Sequence, residues 1–144
     1  MPSVTYDGRS FMLDGRRIWI VSGSIPYSRI PAEHWAERIR LAKLAGLNTI
    51  ETTVHWHRHN PRPAVFDFKG DQNIRHFIQL CGEAGLHVIL RVGPFVGGDG
   101  DMGGLPAWLI DLAGVKLRAN SAAYLEACSR FITALADQIR DLQI

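Results

Sequence analysis

A chain of 144 residues, 47% hydrophobic and 21% charged, has enough apolar material for a packed core, which excludes wholesale disorder. Its 16 basic and 14 acidic residues leave a formal net charge of +2, and the basic residues are scattered, so neither nucleic acid nor an anionic membrane surface is indicated as a partner. No apolar run approaches the roughly 20 residues of a membrane span, and no basic-then-apolar leader opens the chain, so the expected location is cytoplasmic by default.

The predicted elements begin with two short apolar pieces, Val4–Tyr6 and Phe11–Leu13, set off by the turn signals Asp7-Gly8 and Asp14-Gly15. They form a small antiparallel lead-in. The first core strand is predicted over Ile18–Ser22, ended by Gly23 and Pro26. Pro31 opens a helix over Ala32–Ala45, with Trp35, Ile39 and Ala42 on one stripe and Gly46 as its stop. The β-branched run Leu47–Val54 is the second strand. After a loop marked by Pro61 and Pro63, Asp71 is the expected cap of a helix over Gln72–Ala84, stopped by Gly85.

Leu86–Val92 is an almost continuous apolar run, as in a parallel strand buried on both faces. A glycine-rich loop follows over Gly93–Gly104, then a short helix over Pro106–Leu112. A long helix is expected over Ser121–Leu142, capped by Ser121, with Leu125, Cys128, Phe131, Leu135 and Ile139 facing inward. Cys81 and Cys128 both fall in helices outside any C-x-x-C motif, which predicts two buried free thiols.

Alternating strands and helices mean an α/β fold with a parallel sheet, either open and doubly wound or a barrel. A (β/α)8 barrel takes about 250 residues, so in the barrel reading residues 1–144 are one N-terminal portion of a single domain. That portion holds three βα units and the helix leading to strand four. Its open sheet edge needs the remainder of the barrel, from a continuing chain or a partner.

Four stretches fall in one order along the chain. They are Ser22-Gly23-Ser24-Ile25-Pro26-Tyr27-Ser28-Arg29-Ile30-Pro31 with Trp35; Lys43-Leu44-Ala45-Gly46-Leu47-Asn48-Thr49-Ile50-Glu51 running to Val54, Trp56, His59 and Pro61; Phe66-Asp67-Phe68-Lys69-Gly70; and Gly85-Leu86-His87-Val88-Ile89-Leu90-Arg91-Val92-Gly93-Pro94-Phe95 continuing through Gly103-Gly104-Leu105-Pro106-Ala107-Trp108-Leu109. Together they resemble glycoside hydrolase family 35, the β-galactosidase family. The resemblance implies an incomplete TIM barrel from a retaining glycosidase acting on β-galactosides or related β-linked sugars. Such enzymes use two carboxylates about 5 Å apart. The resemblance places the acid/base in an Asn-Glu pair ending strand four, and the nucleophile on a later strand. Both positions lie beyond Ile144, so no catalytic residue is expected in this chain and the chain alone is expected to be inactive. No cofactor or resident metal is expected.

The same resemblance assigns Tyr27 to the sugar pocket, with Pro26 where the family has histidine. In Gly97-Gly98-Asp99-Gly100-Asp101, Asp99 stands where the family has a sugar-holding glutamate, Gly98 precedes it, and Gly100 replaces an aromatic neighbour. A carboxylate accepts from vicinal hydroxyls, so Asp99 retains that chemistry. His57 stands at a family asparagine and Asn60 at a family glutamate. The expected substrate-binding set is Tyr27, His57, Gly98 and Asp99.

Two alternatives stay open. One is a non-catalytic sugar-binding relative, suggested by the departures at 57, 60, 99 and 100. The other is a metal-dependent barrel hydrolase, because His55, His57 and His59 would share one face if their strand continued. Trp56, Trp108, Phe66 and Phe68 read as packing positions, Gly103-Gly104 as a backbone requirement, and Arg91 as a buried charge paired with Glu51 within 6 Å.

Overall fold

The computed structural model describes residues 3–98 and 100–143. It opens with an antiparallel meander of β1 (Val4–Tyr6), β2 (Phe11–Leu13) and β3 (Arg16–Ile18), with Val4 opposite Leu13 and Phe11 opposite Ile18. Its turns follow from side-chain chemistry. Asp7 Oδ1 accepts from the amides of Arg9 (3.0 Å) and Ser10 (3.1 Å). Asp14 and Gly15 both take positive φ, 49° and 75°, the pair that a tight two-residue hairpin turn demands.

The second sheet is parallel, in the order β4 (Ser22–Ser24), β5 (Thr49–Thr53), β6 (His87–Arg91). Gly23 pairs with Ile50 and Ile50 with Val88. The helices are α1 (Trp35–Leu44), the single turn α2 (Trp56–His59), α3 (Ile74–Glu83) and α4 (Ala122–Ile139). Helix α3 packs against α1, β6 and α4. The core between sheet and helices holds Trp35, Ile39, Ile50, Phe77, Cys81 and Phe131.

Several boundaries differ from the sequence reading. The apolar run after Arg17 is not the first core strand. Ile18 ends the meander, and the parallel strand starts at Ser22. Trp19 is 82% exposed, so hydrophobicity is a false guide here. The true strand uses small residues because a Cβ at Gly23 would stand 2.7 Å from Leu47 Cδ1. Asp71 does not cap the third helix. Asn73 does, its side chain accepting from His76 N at 3.0 Å, while Asp71 accepts from Ala32 N at 2.7 Å. Ser121 precedes α4 but makes no capping bond, and its hydroxyl accepts from Lys116 N at 3.1 Å. The inward stripe of α4 is Tyr124, Ala127, Phe131, Leu135 and Ile139, whereas Leu125 is exposed. Residues 32–34 and 107–109 form 3-10 turns ahead of or in place of the expected α-helix. Both cysteines are free, Cys81 buried and Cys128 half-buried.

Strand β6 is an edge of its sheet among the described residues, and Ile89 and Val92 are exposed on or beside it. The expectation of burial on both faces therefore fails on one side. Arg91 does reach Glu51, Nε to Oε1 3.7 Å, but its side chain is 56% exposed rather than buried. An open groove of about 650 Å³ runs beside β6, lined by Ile78, Leu86, Val88, Leu90, Ile139 and Leu142.

Asn48 ties the meander to the parallel sheet. Its Oδ1 accepts from Val21 N (2.9 Å) and from the Thr49 hydroxyl (2.9 Å), and its Nδ2 donates to the Trp19 carbonyl (2.6 Å). Asn48→Ala removes all three bonds, and water can reach the exposed Trp19 and Val21 groups that it leaves. Urea unfolding should show a loss of about 0.5–1.5 kcal/mol, with Asn48→Asp giving no rescue because its carboxylate would face the Trp19 carbonyl.

Candidate active site

Parallel strands with helical crossovers present their functional loops at the strands' C-terminal ends. Three such loops meet here, and each is shaped by a buried anchor.

The first follows β4. Tyr27 begins a 3-10 turn, and its ring is fully buried against Trp35 (centroids 6.0 Å) and Phe77 (5.5 Å). The Trp35 indole donates to the carbonyls of Tyr27 (3.1 Å) and Ile30 (2.9 Å), fixing the turn to α1. The Tyr27 hydroxyl meets His59 Nε2 in a short hydrogen bond. His59 Nδ1 donates to the Asp67 carbonyl at 2.9 Å, so Nε2 is the bare nitrogen and the tyrosine is the donor. Burial raises the Tyr27 pKa far above its ordinary value. Burial also lowers that of His59 to about 4, against the opposing pull of the Asp67 carbonyl.

The second loop follows β5. The expected continuation of the strand through the three histidines does not occur. His55 is extended, and the chain then turns into α2. Trp56 decides this, because its ring is fully buried and stacks on Phe131 at 4.9 Å. The helical turn places His55 and His57 side by side, rings edge to face at 5.9 Å, while His59 stacks on Phe68 at 4.8 Å. Among the described residues, no group of three His, Cys, Asp or Glu side chains is arranged to hold a metal ion. Asn60 is buried and structural. It accepts from the Trp56 indole (3.0 Å) and donates to the carbonyls of Arg62 (2.7 Å) and Val65 (2.8 Å). A carboxylate could not make the two donated bonds.

The third loop follows β6 and the cis Gly93–Pro94 peptide. Gly98 is exposed in a turn, and Asp99 lies outside the described residues. Met102, Gly103 and Gly104 take successive positive φ of 52°, 68° and 85°. A Cβ on Gly103 would fall 2.0 Å from the Phe95 ring, and one on Gly104 would fall 2.7 Å from Val96 Cγ2. The loop thus folds back on itself, and the Gly103 carbonyl accepts from Val96 N at 2.8 Å. The Gly104 carbonyl lies 3.3 Å from His57 Nδ1, and Ser28 Oγ lies 3.5 Å from His55 Nδ1.

Ser28, His55, His57, Gly100 and Gly104 therefore come together from the three loops, with Tyr27 and His59 closed beneath them. Of the expected sugar contacts, His57 is half-buried at this junction and Gly98 is exposed on the third loop, whereas Tyr27 is enclosed. Ser28 is the neighbour that sequence reasoning missed, and His55, weighed there only as a metal ligand, stands instead beside His57. The signal available was the position of each directly after a strand. Of these groups His57 is the partly exposed imidazole, able to donate or accept a hydrogen bond, whereas Ser28, His55 and Gly104 are buried.

Two outcomes follow from this geometry. Gly103→Ala combines a positive φ with an overlap on Phe95, and thermal unfolding should show a loss of about 1–3 kcal/mol or more. His59 is neutral when folded but titrates near 6.5 when unfolded, so the unfolded state binds more protons in acid. The stability that this contributes is complete above about pH 6.5 and is lost as pH falls toward about 4, by up to about 3 kcal/mol. Chemical unfolding across that window should show a steeper decline for wild type than for His59→Gln, which has no proton to take up.

Comparison with known proteins follows the same architecture. The mouse (Mus musculus) β-galactosidase is 42% identical over 137 residues, covering 95% of this chain and 21% of that protein. The human (Homo sapiens) β-galactosidase is 39% identical over 142 residues, covering 99% and 21%. This chain thus spans about a fifth of the curated relatives it matches. Among solved structures, an exo-β-1,4-mannosidase from Opitutaceae bacterium strain TAV5 matches with TM-score 0.64 at 20% identity, over 88% of this chain and 23% of that one. A β-galactosidase from Halorubrum lacusprofundi matches with TM-score 0.56 at 20% identity, over 83% and 19%. These solved structures share its fold, a partial α/β arrangement consistent with an incomplete barrel. The sequence model of the glycosyl hydrolases family 35 matches residues 10–144, and by that match together with the β-galactosidase relatives the chain belongs to that family.

Proposed function

We propose that residues 1–144 are the N-terminal portion of the catalytic barrel of a retaining glycoside hydrolase that acts on β-galactosides or related β-linked sugars. In this reading the chain supplies three βα units and α4, the helix leading to strand four. The observation that carries the proposal is the meeting of three strand-end loops in a chain of this family. His57, Gly98 and Asp99 contact the sugar, and Tyr27 supports them from beneath through His59.

The acid/base and nucleophile carboxylates come from later strands, so hydrolysis needs the remainder of the barrel. The free edge of β6 and its apolar groove support this, because both suit a further strand and its helix. The substrate is a carbohydrate. No helix in the described residues is long and apolar enough to cross a membrane. The departures at positions 57, 60, 99 and 100 support a second reading, a relative that binds sugar without cleaving it.

Hydrolysis of a nitrophenyl β-galactoside separates the two. The natural polypeptide that carries this chain should release nitrophenol and yield the β-anomer first, while residues 1–144 alone should release none. Galactose binding without hydrolysis by the natural polypeptide would select the second reading, and release of the α-anomer first would reject the retaining mechanism.

A further inference from the structure

His55 and Gly100 carry no assigned role, yet both lie beside His57. His55 is 2% exposed, with its ring edge to face with His57 at 5.9 Å. His57 Nδ1 is within reach of the Gly104 carbonyl at 3.3 Å, which puts the proton on Nδ1 and leaves Nε2 an acceptor. Gly100 has an extended backbone, φ −168° and ψ 162°, which any residue adopts, so its backbone does not require glycine. A Cβ there would stand 3.4 Å from His55 Cδ2 and 3.4 Å from His57 Cε1. A methyl would just touch both rings, and a longer side chain directed toward them would enter the volume that the two imidazoles occupy.

We propose that positions 55, 57 and 100 form one specificity wall. In it His55 is a positioning residue that holds the His57 imidazole against a side-chain-free Gly100, and the exposed part of His57 accepts a hydrogen bond from a sugar hydroxyl. The inference rests on the sugar-binding reading above and adds to it the residues that set the wall's shape. Its ligand class is a glycoside with a free hydroxyl toward the second and third loops. A sugar lacking that hydroxyl leaves Nε2 without its donor and is disfavoured by about tenfold.

The test uses the natural protein that carries this chain, with Gly100→Leu, His57→Ala, the double variant and His55→Phe. Gly100→Leu should raise KM for a nitrophenyl β-galactoside about tenfold, with a smaller change in kcat. Because His57→Ala frees the volume that leucine needs, the double variant should lose less than the product of the single losses. His55→Phe should raise KM more than it lowers kcat, with Tm close to wild type. Multiplicative losses, or equal effects of His55→Phe on Tm, KM and kcat, would overturn the wall. Nitrogen-15 imidazole spectra give a readout that needs no turnover. His57 should show a protonated Nδ1 and a bare Nε2, and Gly100→Leu should shift both signals. A protein that neither binds nor cleaves galactosides defeats the functional reading; unmoved His57 signals in Gly100→Leu defeat the wall itself.

Discussion

The burial of Trp56 is the constraint on which the site depends. The residue directly follows the second parallel strand by way of Val54 and His55, and its indole is stacked on Phe131 of α4. Removing such a ring from a core costs about 3–5 kcal/mol. With the ring held there, the backbone cannot continue as a strand and closes one helical turn instead. That turn divides three histidines between two environments. His55 and His57 stay at the loop junction, and His59 goes into the core to meet Tyr27. The Trp56 indole also fixes Asn60, which closes the following loop through Arg62 and Val65. One packed aromatic thereby sets the positions of four polar side chains.

The glycine-rich loop is the complementary half. Its three successive left-handed residues bring Gly104 to His57, and Gly103 yields its Cβ space to Phe95. Phe95 in turn lies under the Arg118 guanidinium, 4.0 Å from the ring centroid, an arrangement that gains cation–π energy. The loop is therefore a folded unit despite its composition. The His55 and His57 rings lie against its Gly100 and Gly104.

Much of the architecture was legible in the sequence. The alternation of β-branched runs with 3.6-periodic helices predicted the parallel units, and Gly46 and Gly85, both at positive φ, mark the helix ends where expected. The errors have physical causes. The apolar run through Trp19 looked like core because hydrophobicity alone does not report burial, whereas Gly23 was read as ending the strand until its close approach to Leu47 is seen. Asp71 and Asn73 are both good caps, and only the three-dimensional position of Ala32 decides between them. In the candidate site, the expectation for His57 came from its place at a family asparagine. The separation of His59 from His55 and His57 depends on Trp56 meeting Phe131 some seventy-five residues on, a long-range contact that no local pattern encodes. Tyr27 was recognisable as important. Packing under Trp35 could also be read, but its enclosure by Phe77 and His59 could not, because these partners come from distant elements.

The most direct measurement is a crystal structure of the natural protein that carries this chain, with galactose bound. The sugar should lie at the C-terminal ends of β4, β5 and β6, with a hydroxyl within hydrogen-bond distance of His57 Nε2 and another beside Asp99. Galactose bound at the opposite end of the sheet, or in the apolar groove between α3 and α4, would contradict the account.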